Sequence, residues 1–207
     1  METPLSKEAV RVLGALVEKE MSTPEYYPMT LNALRNACNQ KSNRSPVVTY
    51  AEIDVMEALD ELQQRRLAGH VTGAGSRAVK YRHALSEAFS LTAAECAGLA
   101  CLMLRGPQTI GEVRSRTGRM YAFEAMAETI ETLEGLCSRG EPLVVHLGRM
   151  PGQKEVRFAH LLSGSVTESA LLSASVGESA SGAELEELRL ELRRLREDFE
   201  AFRRQFE

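Results

Sequence analysis

No uninterrupted apolar run in the 207 residues approaches the roughly 20 needed to span a bilayer. The opening METPLSKEAV also lacks a basic segment followed by an apolar core. The expectation is a cytoplasmic protein with no membrane partner. Cysteine is scarce: four residues, at 38, 96, 101 and 137, form no CxxC pair and have no histidine at ligand spacing. The sequence therefore predicts neither a zinc site nor a disulfide framework, and the cysteines read as small buried hydrophobes in a reducing compartment. Nucleophile-elbow, phosphate-loop and metal-ligand spacings are missing as well, so no enzyme and no cofactor are expected.

Excess charge of one sign is missing from most of the chain. The net charge of -4 resolves into 11 cations and 10 anions over residues 1–85, 8 and 9 over 86–162, and 6 and 10 over 163–207. The acidity belongs to the last segment, and the first two are balanced.

What is present is a pattern of helices with their own start signals. Val10, Leu13, Leu16 and Val17 form one helical stripe, and Leu31, Leu34 and Cys38 form a second behind Thr30 as N-cap. Thr49-Tyr50-Ala51-Glu52 reads as a capping box opening a third helix, with Ile53, Met56, Leu59 and Leu62 facing inward. From Leu67 the period changes. Gly73-Ala74-Gly75-Ser76 supplies a turn, and Val79, Tyr81 and His83 alternate with Lys80 and Arg82, as in a strand with one buried face. Three helices followed by a hairpin is the order of a winged helix-turn-helix domain. Tyr26 and Tyr27, beside a proline between the first two helices, read as anchors of a loop.

The order then repeats. Thr92 to Glu95 and Thr109 to Glu112 are capping boxes for two helices, and Ile130, Leu133 and Leu136 stripe a third. A constant shift of 77 maps Ile53, Met56 and Leu59 onto Ile130, Leu133 and Leu136, and Val79, Lys80, Tyr81 and His83 onto Val156, Arg157, Phe158 and His160. Such self-similarity predicts two copies of one domain, with His83 and His160 as satisfied structural histidines.

The predicted fold class is mainly α with small β-hairpin wings: two tandem winged helix-turn-helix domains at 1–85 and 86–162, a Ser/Ala/Gly-rich linker at 163–183, and a coiled-coil helix at 184–207. As a random coil the linker spans on the order of 25 Å. In the last segment Leu185, Leu188, Leu192, Leu195, Phe199, Phe202 and Phe206 alternate spacings of three and four, the seam of a coiled coil. Glu184, Glu191 and Asp198 then fall at g positions, and Arg189, Arg196 and Arg203 at e positions. In a parallel pair every g–e contact attracts, whereas an antiparallel pair sets acid against acid, so parallel self-association is expected.

The chain resembles the YceH-like family, a group of bacterial proteins without an assigned function. The resemblance rests on VLGALVEKEMSTPEYYPMTLNALRNACNQKSNRSPV, on GSRAVKYRH, and on LRGPQTIGEVRSR and MPGQKEVRFAHLL, covering most of residues 6–162. It implies tandem winged helices and carries over no functional residue.

Asn36 to Pro46, NACNQKSNRSP, concentrates amides, hydroxyls and cations in one connection and raises the question of what it touches. Candidate nucleic-acid contacts there are Arg35, Gln40, Lys41, Asn43 and Arg44, with Arg77, Lys80 and Arg82 on the wing. Asn36, Asn39 and Asn43 are equally suited to bonding local backbone groups. In the second copy the candidates are Arg114, Arg116, Arg119 and Arg157, with Arg149 and Lys154 near the last of these. The third helices carry Glu52, Asp54, Glu57, Asp60 and Glu61, and Glu124, Glu128, Glu131 and Glu134, which phosphates would repel. Two functions stay open: a DNA-associated or transcription-regulatory protein holding double-stranded DNA by its basic edges, and a scaffold binding another polypeptide.

Overall fold

The computed structural model describes residues 4–71, 78–148 and 155–164. In order these form α1 (Lys7–Ser22), a 3-10 turn (Pro24–Tyr26), β1 (Met29–Thr30), α2 (Leu31–Cys38), α3 (Glu52–Gln64), β2 (Ala68–Val71) and β3 (Lys80–His83). A short α4 (Leu85–Phe89) leads to α5 (Ala93–Arg105), β4 (Gln108–Thr109), α6 (Ile110–Thr117), α7 (Met126–Cys137), β5 (Val144–Leu147) and β6 (Arg157–His160). Among the described residues there are thus seven α-helices and two antiparallel sheets, ordered β1-β3-β2 and β4-β6-β5. The same plan occurs twice in a mixed α/β chain, an arrangement compatible with winged helices.

Local chemistry places the helix starts. Thr30 Oγ1 accepts the Ala33 N–H, and Thr92 with Glu95 and Thr109 with Glu112 form reciprocal capping boxes closed by bonds of 2.8 to 3.3 Å. Ser6 caps α1, and its own N–H donates at 3.1 Å to Glu61 of α3. The box expected at Thr49 does not form. Helix α3 starts at Glu52 behind Ala51, whose N–H donates to Asp54 at 2.7 Å, because a carboxylate at the third helical position reaches that donor directly.

The inward face differs as well. Val55, Ala58, Leu59 and Leu62 are buried, whereas Ile53 and Met56, expected inside, are 57% and 45% exposed. In α7 the buried residues are Thr129, Leu133 and Leu136, and Ile130 is 38% exposed. The shift of 77 therefore holds for β3 against β6 but not for the third helices, whose N-caps Ala51 and Ala125 lie 74 apart. The connection 39–51 is longer than 118–125, which moves the register. Val79 precedes β3 and is exposed; Tyr81 is half-buried and His83 buried.

The two histidines differ. His83 Nδ1 accepts the Leu85 N–H at 3.2 Å, so the other ring nitrogen carries the proton and faces Glu20 at 2.6 Å. His160 departs from expectation: its Nδ1 is buried with no hydrogen-bond partner among the described residues, and burial lowers its pKa to about 4. Tyr27 anchors its loop as expected, its hydroxyl accepting the His83 N–H at 2.7 Å, while Tyr26 lies exposed. Cys38, Cys96 and Cys101 are buried and Cys137 is half-buried, all four as free thiols.

The core is built around one helix pair. Every residue from Ala9 to Val17 of α1 and from Cys96 to Leu104 of α5 is buried, which a single inward stripe cannot explain. A helix apolar on all sides has packing partners on all sides. Helix α1 packs against α2 and α3 and also against α5, and among the described elements its contact with α5 is the most extensive. Gly14 sits at that crossing. A Cβ there would lie 3.1 Å from Leu104 Cδ2 and from Met103 Cβ. The repeats thus share one compact unit, which runs to Val166, and Leu5 and Leu162 close it with a 2.8 Å backbone bond. Gly14→Val should overpack the crossing and cost about 1–3 kcal/mol. In urea unfolding this appears as a lower midpoint; an unchanged midpoint would mean that α1 and α5 do not approach as closely as described.

Candidate nucleic-acid interface

The loop 36–46 mostly touches the protein itself. Asn39 and Tyr50 exchange two bonds: Asn39 Nδ2 donates to the Tyr50 carbonyl at 2.9 Å, and the Tyr50 N–H donates to Asn39 Oδ1 at 2.8 Å. Asn39 thereby closes the loop as a backbone group would. Arg44 is buried. Its Nε donates to the Ala37 carbonyl at 3.1 Å, one Nη to the Asn43 carbonyl at 2.8 Å, and both Nη atoms to the Glu18 carboxylate at 3.0 and 2.5 Å. It is therefore unavailable to a phosphate, contrary to the expectation from sequence. Arg11, in the middle of α1, likewise donates to the Pro46 carbonyl at 2.7 Å, and burial holds its pKa below the ordinary arginine value.

The loop is also stitched to the second half. The Ser45 N–H donates at 2.9 Å to the carbonyl of Leu104, one of the last carbonyls of α5 and without an intrahelical partner. Asn43, held at φ 60, accepts through Oδ1 from Arg105. Behind this seam lies a cleft of about 230 Å³. Lys19, Gln40, Asn43, Arg105, Arg116 and Arg119 contribute to its lining. The single carboxylate at its wall, Glu18, is engaged by Arg44 and lies 3.8 Å from Lys19. Burial, with further repulsion from Arg116 and Arg44, holds Arg105 below its ordinary pKa. An anion in the cleft would relieve that repulsion.

Four sequence candidates, Gln40, Asn43, Arg116 and Arg119, thus converge from both halves on one place. The others do not. Arg35 donates to Asn32 at 2.8 Å and lies 3.9 Å from Glu52; Arg82 pairs with Glu87 at 3.3 Å. Arg114 donates to the Glu124 carbonyl at 3.0 Å, and Arg157 to the Pro107 carbonyl at 3.1 Å and to Glu112 at 3.0 Å. Arg116, although at the cleft, also bonds Gln108 and pairs with Glu112 at 3.5 Å. Lys41 and Arg119 are exposed, with no polar partner among the described residues, and Lys80 is half-buried on β3. Arg77, Arg149, Lys154 and the heptad from Leu185 to Phe206 lie outside the described residues.

Much of the acid on the third helices has local work. Asp54 and Glu61 accept from helix-start N–H groups, and Glu128 accepts the Tyr121 hydroxyl at 2.6 Å and the Glu124 N–H at 2.9 Å. Glu57, Asp60 and Glu131 point outward beside Ile53, Met56 and Ile130. Sequence reasoning missed Lys19 and Arg105, which only the α1–α5 crossing brings to the loop. Arg11 carried a signal, a lone arginine between Val10 and Val12 on the apolar stripe.

Residues 5–153 match the model of a protein family of unknown function, DUF480, and the chain belongs to that family. Its relatives are bacterial. A UPF0502 protein of Opitutus terrae is 55% identical over 166 residues, covering 80% of this chain and 72% of the relative. One from Geobacter metallireducens is 53% identical over 80% of this chain and 75% of its own length. One from Citrifermentans bemidjiense is 48% identical over 93% and 90%. The family is the one that NALRNACNQKSNR suggests.

Removing Arg44 takes from Glu18 its closest partner and from the Ala37 and Asn43 carbonyls a buried donor. Arg44→Ala should cost about 3–5 kcal/mol, as breaking a buried ion pair does, whereas Lys41→Ala should be neutral. Chemical denaturation of both variants checks this, and equal stabilities would contradict the structural role of Arg44.

Proposed function

We propose that the chain is a cytoplasmic, non-enzymatic, DNA-associated protein of two tandem winged helix-turn-helix halves that grips the phosphate backbone at the seam between them. The observation that carries this is the convergence of Gln40 and Asn43 from the first half and Arg116 and Arg119 from the second, with Lys19 and Arg105, on one cleft. Phosphate contacts supply affinity and orientation without sequence information. Groove reading by the third helices has little support, because they present Glu57, Asp60 and Glu131 beside exposed apolar side chains. Anisotropy titrations of duplex DNA over a range of salt test the reading. Lys19→Ala and Arg119→Ala, both at the cleft, should each weaken binding and flatten the salt slope by about one unit per lost contact. No binding at low salt, or slopes unchanged in both variants, would overturn it.

A second reading has its own support. Met56 and Ile130 lie at equal distances from the N-caps of α3 and α7; both are exposed, and each is followed by a glutamate, Glu57 and Glu131. Exposed apolar positions rimmed by charge suit a polypeptide partner, as in a tandem winged-helix scaffold without DNA binding. A null DNA titration promotes this reading.

The heptad adds self-association. We propose a parallel coiled coil through residues 184–206, supported by the attracting pairs Glu184–Arg189, Glu191–Arg196 and Asp198–Arg203. Tethered through the linker, two units would gain avidity from weak contacts. Sedimentation should show an oligomer for the full chain and a monomer for a chain ending at Val166; a monomeric full chain would contradict it.

A further inference from the structure

The corner between α7 and β5 gathers three donors that neither reading above uses. Glu134 and Cys137 stand at i and i+3 on one face of α7, and His146 is the third residue of β5. His146 Nε2 lies 3.0 Å from Glu134 Oε2, and one ligand atom from each of the three residues lies within 4.8 Å of the other two. We propose that Glu134, Cys137 and His146 form a binding site for a divalent metal ion of the zinc class, with a water as fourth ligand.

Thiolate, imidazole and carboxylate together make a donor set that favours zinc over the hard cations, which take oxygen ligands alone. In a tetrahedral site with metal–ligand bonds of about 2.0 to 2.3 Å, donors stand roughly 3.3 to 3.8 Å apart. Closing from the observed spread takes about 1 Å of side-chain rotation. The scaffold beneath is held: the Leu143 N–H donates at 3.1 Å to the Leu136 carbonyl, and Arg139 bonds the Phe89 carbonyl and pairs with Glu95 at 3.4 Å. The His146 ring packs on Phe158 with centroids 4.5 Å apart, which fixes its orientation. On coordination the thiol gives up its proton to solvent and sulfur becomes the metal ligand.

The first half contains the same corner without the thiol. Matching the N-caps of α3 and α7 places Asp60 opposite Glu134 and Gln63 opposite Cys137. His70 and His146 are each the third residue of their strand and pair across the sheet with Tyr81 and Phe158. There His70 Nδ1 lies 3.3 Å from Gln63 Oε1, a plain helix-to-strand tie. The second half substitutes the one donor that binds zinc most strongly, so His70 is a natural control. The spacing ExxC followed by a histidine nine residues on is not a familiar ligand motif.

The experiment is a Co²⁺ titration of the full-length reduced chain, followed by absorption. The expected result is saturation at one equivalent, with visible bands of four-coordinate intensity and a thiolate-to-cobalt charge-transfer band, all removed by Zn²⁺. Cys137→Ser should abolish the charge-transfer band, His146→Gln and Glu134→Gln should each weaken Co²⁺ binding by at least about tenfold, and His70→Gln should change nothing. Should Cys137→Ser fail to fold, the His146 and Glu134 variants decide. Three results would each overturn the proposal: no thiolate band in the wild type, a band that survives in Cys137→Ser and so arises from Cys38, Cys96 or Cys101, or affinities unchanged in His146→Gln and Glu134→Gln. None bears on DNA binding, so the site stands or falls separately from the phosphate cleft.

Discussion

The close approach of α1 and α5 at Gly14 is the contact on which the rest of the molecule depends. Without a side chain at that position, the backbone of α1 lies against Met103 and Leu104, and each helix buries all sides of its central stretch. Two repeats that could each have kept a separate core instead share one. That sharing brings the C-terminal ends of α1 and α5 to the loop after α2, and the Ser45–Leu104 and Arg105–Asn43 bonds follow from it.

The polar residues of that loop fall into two groups once the crossing is in place. Asn39 and Arg44 turn inward, where low dielectric and unmet backbone groups make each bond costly to lose. Gln40 and Asn43 remain at the cleft, where Lys19, Arg105, Arg116 and Arg119 leave positive charge with only Glu18 among them. Glu18 binds Arg44 through both oxygens and also lies 3.8 Å from Lys19, so the single carboxylate of the cleft is shared between the buried guanidinium and the cleft's own cations. Structure and the proposed chemistry meet in that one pair.

Features set within a few residues were legible in the sequence. Thr30, Thr92 and Thr109 cap their helices because the groups they satisfy lie three residues away, and β3 aligns with β6 at the expected shift of 77. Features set by distant partners were not. The inward face of α3 was misplaced because Ile53, Val55, Met56, Ala58, Leu59 and Leu62 offer two overlapping apolar stripes, and packing against α1 and α2 buries the one that holds Val55 and Ala58. Arg44 reads as a surface cation until Glu18, 26 residues earlier, is seen to enclose it. Lys19 and Arg105 belong to the cleft only through the helix crossing, and Cys137 meets His146 only through the turn between helix and strand. In this chain charge position was legible and charge partner was not.

Native-state hydrogen exchange of the full chain tests most directly whether one shared core governs both halves. If α1 and α5 open together, the central amides of both, from Ala9 to Val17 and from Cys96 to Leu104, should exchange through a single opening with the same free energy and the same dependence on denaturant. Protection persisting in α5 after α1 has opened, with a smaller denaturant dependence for α1, would mean two independent domains in contact and would contradict it.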